Sequence, residues 1–227
     1  NLGVENIITF DAHDQRVQNA IPHKSFENVM PTYQMIKAIV NNIDDLKVDK
    51  DHLMVISPDE GAMQRCIYFA TQLGVNLGMF YKRRDFTKDV DGRNPIVEHQ
   101  YLGDPINGKD IIIVDDMISS GESMLEVAKK LKGLGANRIF VCTTFGLFAN
   151  GLDVFDEAYK EGVFEKVFTT NGVYQTPELL SREWYQSVDL SKYVAYFLDT
   201  LNHDMSVSSL LDSSDKIDSI LRRKGLK

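Results

Sequence analysis

The stretch IIIVDDMISSGES, residues 111–123, decides the fold. Four apolar residues run straight into two carboxylates, and a hydroxyl-rich turn with one glycine then precedes a helix-like run at 124–134. A short, fully apolar run of this kind is typical of a strand buried on both faces of a parallel sheet. The stretch therefore predicts one strand–turn–helix unit of an α/β fold, with polar residues where the strand ends.

Strand-like and helix-like runs alternate on both sides of this unit. Strands are expected at 4–10, 53–57, 77–81, 111–114, 139–144 and 163–169, and helices at 33–41, 60–73, 124–134, 153–160, 190–202 and 214–223. In the second helix, Met63, Cys66, Ile67 and Ala70 have the spacing of one buried face. This alternation predicts a parallel sheet flanked by helices, with ligands bound beyond the carboxyl ends of the strands.

Composition excludes several classes of function. The 227 residues carry a formal net charge of -8, which argues against a nucleic-acid or membrane-surface partner, since either needs a basic face. Apolar runs fall short of the ~20 residues of a membrane span. Cys66 and Cys142 lie in apolar runs, as expected of reduced core cysteines in a cytoplasmic protein.

The polar residues of the deciding stretch suit a sugar phosphate. The free N–H groups of a helix start, with the Ser120 and Ser123 hydroxyls, can cradle a phosphate. Asp115 and Asp116 can accept hydrogen bonds from sugar hydroxyls. The alternative is a solvated turn before an ordinary capped helix, because residues 123–126 also fit a capping box that begins at Ser123.

Taken with other blocks, this stretch points to a known family. It is similar to the phosphoribosyl pyrophosphate loop of the type I phosphoribosyltransferase fold. Collinear blocks narrow the resemblance to ribose-phosphate pyrophosphokinases. These blocks are DAH at 11–13, SPDEG at 57–61, KRR at 82–84, TFGLF at 144–148 and SVSSL at 206–210. They resemble that family's DLH, SPDAG, KRR, THGVF and SVSSL, in the same order.

The resemblance implies an activity and a set of site residues. Members transfer the diphosphoryl group of ATP to ribose 5-phosphate, giving 5-phosphoribosyl 1-pyrophosphate and AMP, with Mg²⁺ as cofactor. Lys82 and Arg84 would stabilise charge on the transferred group, and His13 and Asp59 would contact the metal. The residues that would bind ribose 5-phosphate are Asp115, Asp116, Ser119, Ser120, Gly121 and Ser123.

Each carried-over residue also has a plainer interpretation. His13 on its own reads as a partly buried loop histidine, and Asp59 as an acid near a helix N-cap. Lys82 and Arg84 on their own read as a solvated basic cluster. The polar stretch 82–108 that follows lacks periodicity, and its length favours a lid that closes on ATP.

The resemblance also predicts how the chain is organised. Residues 1–29 would be the remnant of an amino-terminal phosphoribosyltransferase-like domain, and 30–206 the carboxy-terminal one. Residues 207–227 would pack as a helix on the amino-terminal domain. We expect further sequence upstream, carrying much of the ATP site, and a homo-oligomer, either a dimer or a hexamer.

Departures from the family pattern leave rival functions open. Ser119 replaces an aspartate, Glu122 a glycine and Phe145 a histidine, and residues 14–16 also differ. A carboxylate aimed into a phosphate cradle repels the ligand, so Glu122 must point away. One rival is a non-catalytic regulatory or binding paralogue. The other is a phosphoribosyltransferase that consumes the product.

Overall fold

The structure is a computed structural model that describes residues 3–21, 23–84 and 96–227, without the side chains of 82–84 and 96–99. A small parallel pair of strands opens the chain, β1 (Asn6–Phe10) and β2 (Ser25–Val29), joined through a 3-10 helix at Gln15–Ala20. Seven strands form the main sheet: β3 (Leu53–Ser57), β4 (Asn76–Arg84), β5 (Ile96–Leu102), β6 (Asp110–Ile118), β7 (Ile139–Gly146), β8 (Lys166–Thr170) and β9 (Tyr185–Val188).

Helices cover the main sheet on both faces. They are α1 (Thr32–Asn42), α2 (Met63–Leu73), α3 (Glu122–Gly133), α4 (Asp153–Lys160), α5 (Pro177–Leu180), α6 (Ser191–Asn202), α7 (Ser208–Leu211) and α8 (Ser214–Arg223). The strand order is β5-β4-β3-β6-β7-β8-β9, with only β5 antiparallel to its neighbour. The predicted α/β fold with a parallel sheet flanked by helices is therefore confirmed.

Strand β6 lies at the centre of the sheet and is buried on both faces, as its apolar run predicted. Ile111 and Ile113 pack in the core on the α3 and α4 side, while Ile112 and Val114 pack in the core with α1, α2 and α8. The strand is longer than predicted, since it continues through Asp115 and Asp116 to Ile118. Pairing with β7 as far as Ile118 satisfies the backbone beyond the apolar core.

Two other sequence predictions need correction. Residues 96–102 form β5, which pairs with the end of β4, so the stretch 82–108 is not wholly irregular; residues 85–95 lie outside the described part. In α2 the inward face is rotated from the predicted one. Ile67 is 50% exposed, whereas Arg65 and Phe69 are buried beside Cys66 and Ala70. Gly74 does end α2, in a left-handed conformation with φ 72°.

The carboxy-terminal helices α7 and α8 pack in different places. Val29 of β2 shares a small core with Tyr193 and Phe197 of α6 and with apolar residues of β1 and α7. Helix α8 instead packs on α1 and α2, with Ile217, Ile220 and Leu221 buried. The assignment of 1–29 and 207–227 to an amino-terminal domain stays a prediction. Cys66 and Cys142 are free thiols in the core, as expected.

None of the helices within the described ranges has both the length and the apolar character needed to cross a membrane.

Candidate functional site

A cavity of about 190 Å³ opens at the carboxyl edge of the sheet, between the end of β6 and the start of α3. The structure brings most of the predicted sugar-phosphate residues to this one cavity. Those that line it are Asp115, Ser119, Ser120, Gly121 and Ser123, together with Asp59. Because parallel strands end at one edge, residues from β3 and β6 meet here although they are far apart in sequence.

The start of α3 is arranged as an anion cradle. Gly121 stands at the N-cap position and has no side chain to cap the helix, although the Ser120 hydroxyl lies 3.5 Å from the first helical amide, Glu122 N. The first N–H groups of a helix have no partner inside it, so those that follow Glu122 are available to an anion. Ser123 is the second residue of the helix rather than its cap, so the capping box expected at 123–126 does not form.

Gly121 is required by two features of this turn. Its φ of 89° is a left-handed conformation that side chains disfavour, and a Cβ there would run into the ring of Phe155. Phe155 is fully buried and forms the floor beneath the turn. Two hydrogen bonds fasten the turn from the other side, from Leu147 N to the Ile118 carbonyl at 2.8 Å and from Ala149 N to the Ser119 carbonyl at 2.9 Å.

Glu122, the acid that replaces a glycine of the family pattern, does not line the cavity. Its side chain lies toward Asn150, whose Nδ2 is 3.5 Å from Glu122 Oε1. The first turn of a helix favours a negative charge, so Glu122 is also compatible with the helix itself. The condition that its carboxylate point away from the cradle is met.

The paired acids of β6 meet a buried arginine that the sequence did not single out. Arg65, on α2, donates from Nη1 to Asp115 Oδ1 at 3.1 Å and to Asp116 Oδ1 at 3.3 Å. Its side chain is only 5% exposed. The Asp116 amide also donates to Asp115 Oδ1 at 2.9 Å. The two carboxylates are therefore held together at the end of the strand.

The segment that follows β1 joins the same cluster. Asp11 accepts from Arg65 Nε at 3.1 Å and from the Thr144 hydroxyl at 2.6 Å, and it is buried with a left-handed φ of 43°. His13 Nδ1 lies 2.9 Å from Asp116 Oδ2. One network of charged and polar groups thus connects the ends of β1, β6 and β7 with the start of α2.

Burial shapes the electrostatics of this network. Burial raises the pKa of Asp115 to about 7 and also raises the pKa of Asp11. Burial opposes ionisation of Asp116 too, but hydrogen bonds shared with Asp115 and His13 and the charge of Arg65 lower its pKa below the ordinary value. The hydrogen bond to Asp116 in turn raises the pKa of His13. Burial thus favours the protonated form of two of the three carboxyls that share Arg65, Asp115 and Asp11, whereas the pKa of Asp116 is lowered.

The two residues predicted to contact a metal line different cavities. His13 is 79% exposed and contacts Asp116, in a groove that Asp59 does not line. Asp59 lies in the cavity at β6, where its Oδ1 accepts from the Gly61 and Ala62 amides at 2.9 and 3.2 Å, as expected of an acid near a helix start. Across residues 3–21, 23–84 and 96–227, no group of three or more His, Cys, Asp or Glu residues is arranged to hold a metal.

Lys82 and Arg84 belong by their backbone to the end of β4, with a shift of register against β5 at Arg84. Their side chains lie outside the described part of the chain, so their catalytic role stays a prediction. Phe145 pairs with Met117 across β7 and β6, at the same edge of the sheet.

Arg65 and Asp11 are the residues that sequence reasoning missed. Asp11 belongs to the DAH motif at 11–13, in which the family resemblance assigned a role only to His13. Arg65 directly precedes the buried Cys66 in a helix whose apolar positions otherwise define its inward face. A charged residue inside such a face is the signal that could have revealed it, since buried charges need partners.

Comparison with known proteins agrees with this fold. The phosphoribosyl transferase domain matches residues 23–182 of the chain. The chain therefore belongs to the phosphoribosyl transferase domain family.

Within that family, the similarity is to enzymes that make phosphoribosyl pyrophosphate. Ribose-phosphate pyrophosphokinase of Vibrio parahaemolyticus is 25% identical over 93% of this chain and 62% of its own length. That of Pyrococcus abyssi is 33% identical over 66% of this chain and 47% of its own length. The crystal structure of phosphoribosylpyrophosphate synthetase from Mycobacterium smegmatis shares the fold, with a TM-score of 0.71 and 20% identity over 89% of this chain and 60% of that one.

These findings confirm the resemblance to ribose-phosphate pyrophosphokinases that the sequence predicted. The low identities are those of a divergent relative. The chain spans about 62% of the length of the first of these relatives.

Proposed function

We propose that the chain transfers the diphosphoryl group of ATP to ribose 5-phosphate, giving 5-phosphoribosyl 1-pyrophosphate and AMP. One observation carries the proposal: a single cavity joins an uncapped helix start to the carboxylate of Asp115. A sugar phosphate needs both features about one ribose apart. The similarity to ribose-phosphate pyrophosphokinases over 93% of the chain supports the same substrate pair.

In this proposal the cavity binds ribose 5-phosphate. Amides of the turn at 119–121 and of the start of α3, with the hydroxyls of Ser119, Ser120 and Ser123, would bind the phosphate. Asp115 lines the cavity and would accept from the ribose hydroxyls. Asp116 lies behind it with each oxygen already engaged, but a carboxylate oxygen can accept more than one hydrogen bond.

The transfer itself depends on charge more than on covalent chemistry. The anomeric hydroxyl would lose its proton to solvent as its oxygen forms a bond to the β-phosphorus of ATP, while the bond from that phosphorus to the AMP oxygen breaks. Lys82 and Arg84 would neutralise the charge on the transferred group. Strand β4, which ends with these residues, is parallel to β3 and β6, so its carboxyl end lies at the same edge as Asp115.

The reaction implies Mg²⁺ bound together with the ATP phosphates, where it supplies charge neutralisation. Magnesium prefers oxygen and is commonly held by one or two carboxylates plus substrate phosphates. Asp59, in the cavity, fits that donor set, whereas the exposed imidazole of His13 fits it less well. The residues present are thus compatible with a metal shared between protein and substrate.

The test is AMP release from ATP in the presence of ribose 5-phosphate and Mg²⁺, measured with the complete chain. Release that depends on ribose 5-phosphate is expected, together with its loss in Lys82→Met and Arg84→Met variants that keep ribose 5-phosphate affinity. AMP release that does not require ribose 5-phosphate would contradict the proposal. So would release of pyrophosphate from phosphoribosyl pyrophosphate on addition of a base, since that is the reaction of a phosphoribosyltransferase.

A second candidate is a non-catalytic binding or regulatory paralogue. It is favoured by the burial of Asp116, only 3% exposed and engaged by Arg65 and His13, and by Phe145 at the ligand edge. Tight binding of ribose 5-phosphate without AMP release would support it. The homo-oligomer, dimer or hexamer, stays a prediction in either case.

A further inference from the structure

Arg65 connects two parts of the candidate site that are distant in sequence. Its Nε donates to Asp11 Oδ1 at 3.1 Å, 54 residues away, and its Nη1 donates to Asp115 Oδ1 at 3.1 Å, 50 residues away. Its Nη2 lies 3.5 Å from the Ala12 carbonyl, beside His13. One side chain on α2 therefore faces both the segment after β1 and the end of β6.

We infer that Arg65 is a positioning residue, which aligns Asp115 and Asp116 beside the cavity and fastens the segment 11–13 to the same edge of the sheet. As far as it concerns ligand binding, this inference rests on the proposed function. Arg65 does not line the cavity of about 190 Å³ at the start of α3, so it acts through the carboxylates that it holds.

The geometry requires an arginine rather than any cation. A guanidinium presents five N–H donors in a planar fork, so it can serve acceptors on separate elements at once. Lysine carries a compact charge on a flexible stem and cannot span Asp11 and Asp115 in the same way. Arg65→Met would remove the guanidinium from a largely buried position, since the Arg65 side chain is only 5% exposed. The three acids would then lie next to one another without their arginine.

Stability alone does not explain this arrangement. Burying an arginine with several carboxylates incurs a desolvation cost that the ion pairs often fail to offset. The same strand has a second arginine–carboxylate cluster, in which Arg138 binds Asp110 at the opposite, amino end of β6. Arg138 therefore provides a matched control: it forms comparable hydrogen bonds far from the candidate site.

The experiment compares Arg65→Met, Arg65→Lys and Arg138→Met in the complete chain. Amide hydrogen exchange without ligand, followed by mass spectrometry, reports on peptides that cover 8–14 and 113–118. Calorimetry reports affinity for ribose 5-phosphate, and denaturation reports stability. Exchange needs no ligand, so it decides the positioning role even if the wild-type chain fails to bind ribose 5-phosphate and the proposed function falls.

Arg65→Met is expected to speed exchange in both peptides and to weaken ribose 5-phosphate binding by on the order of tenfold, the size of one charge-assisted hydrogen bond. Arg65→Lys should show smaller changes in both exchange and ribose 5-phosphate affinity. Arg138→Met should change stability but neither the exchange of these peptides nor the affinity. If Arg65→Met does not fold, Arg65→Lys carries the test, with exchange intermediate in both peptides.

Unchanged exchange at 8–14 and 113–118 in a folded Arg65 variant would overturn the inference. Equal effects of Arg65→Met and Arg138→Met on those peptides would also overturn it, because the role would then be general stability.

Discussion

Strand β6 carries an arginine–carboxylate cluster at each end, and the two clusters differ in their balance of charge. At the amino end, Asp110 accepts from Arg138 Nη2 at 2.6 Å and from Asn137 Nδ2 at 2.8 Å. Arg138 also pairs with Asp45, a carboxylate that is 78% exposed. At the carboxyl end, Arg65 is shared by three acids, of which Asp11 and Asp116 are almost fully buried, and the exposed His13 also contacts Asp116.

This difference indicates that the cluster at the amino end stabilises the fold, whereas the cluster at the carboxyl end belongs to the candidate binding site. At the amino end the second acid is in water, so one arginine suffices and only one carboxylate is buried. At the carboxyl end, surplus negative charge is buried beside a cavity and an uncapped helix. Local arrangements that cost stability without an evident return are typical of functional sites.

The largest expected effect comes from removing an acid at each end. Asp116→Ala should weaken ribose 5-phosphate binding by about 100-fold or more, because it deletes a carboxylate and leaves Arg65 misaligned. Asp110→Ala should lower the free energy of unfolding yet leave the affinity of the folded protein unchanged. Calorimetry with both variants tests the contrast, and an Asp116→Ala chain that binds normally would remove the site hypothesis.

A second contrast uses the two glycines at the ends of α3, Gly121 at its N-cap and Gly133 as its last residue. Gly121→Ala places a side chain at a φ of 89° and against Phe155, so it should cost about 3 kcal/mol of stability from backbone strain and overpacking. Gly133, at the other end of the helix, has open space around it, and Gly133→Ala should be neutral or stabilising by roughly 0.5 kcal/mol. Chemical denaturation measures both, and equal costs would show that the turn is not constrained as described.

The dependence of stability on pH should differ in sign between the clusters. Burial raises the pKa of Asp115 from 3.8 to about 7, so between these values the folded chain holds a proton that the unfolded chain lacks. Stability from this group therefore falls as pH rises from about 4 to 7. Asp115→Asn should raise the melting temperature relative to wild type at pH 8 but not at pH 4.

Asp45 provides the opposite case at the amino end. The hydrogen bond from Arg138 lowers the pKa of Asp45, so its contribution is present above the unfolded value of 3.8 and is lost as pH falls through the folded value. Asp45→Asn should slightly lower the melting temperature at pH 8, with a smaller difference in acid. If Asp115→Asn and Asp45→Asn changed the melting temperature in the same direction at pH 8, the balance of charge assigned to the two clusters would be contradicted.

The smallest effect is expected at Glu122. Its side chain lies toward Asn150 and away from the cavity, so Glu122→Gln should raise ribose 5-phosphate affinity by less than about threefold, the size of a screened, exposed charge effect. Ser123→Ala, which removes a hydroxyl lining the cavity, should weaken binding by more than Glu122→Gln changes it. A gain of tenfold or more in Glu122→Gln would place that carboxylate in the phosphate cradle.

Sequence patterns predicted the sheet and the edge that carries the site. The run 111–114 identified a buried central strand, and the polar residues after it predicted that ligands bind at this edge of the sheet. The continuation of β6 through its acids was missed, because those residues lack the apolar character by which strands are recognised. Pairing with β7, which local sequence does not reveal, extends the strand.

Arg65 was missed for a related reason. A charged residue in an amphipathic helix is expected on the solvent face, and the acids that permit its burial come from positions 11, 115 and 116. Only tertiary structure brings these charges together. The inward face of α2 was misplaced for the same reason, since Arg65, which the pattern left outside the buried face, is buried, and Ile67, which it placed on that face, is exposed.

The most direct test is a titration of the ¹⁵N-labelled complete chain with ribose 5-phosphate, followed by amide chemical shifts. Saturable shifts concentrated at Ser119, Ser120, Gly121 and Ser123, with smaller ones at Asp115 and Asp116, are the expected result. Shifts that leave this turn unchanged while the ligand binds elsewhere, or no saturable shifts at all, would contradict a sugar-phosphate site at the end of β6.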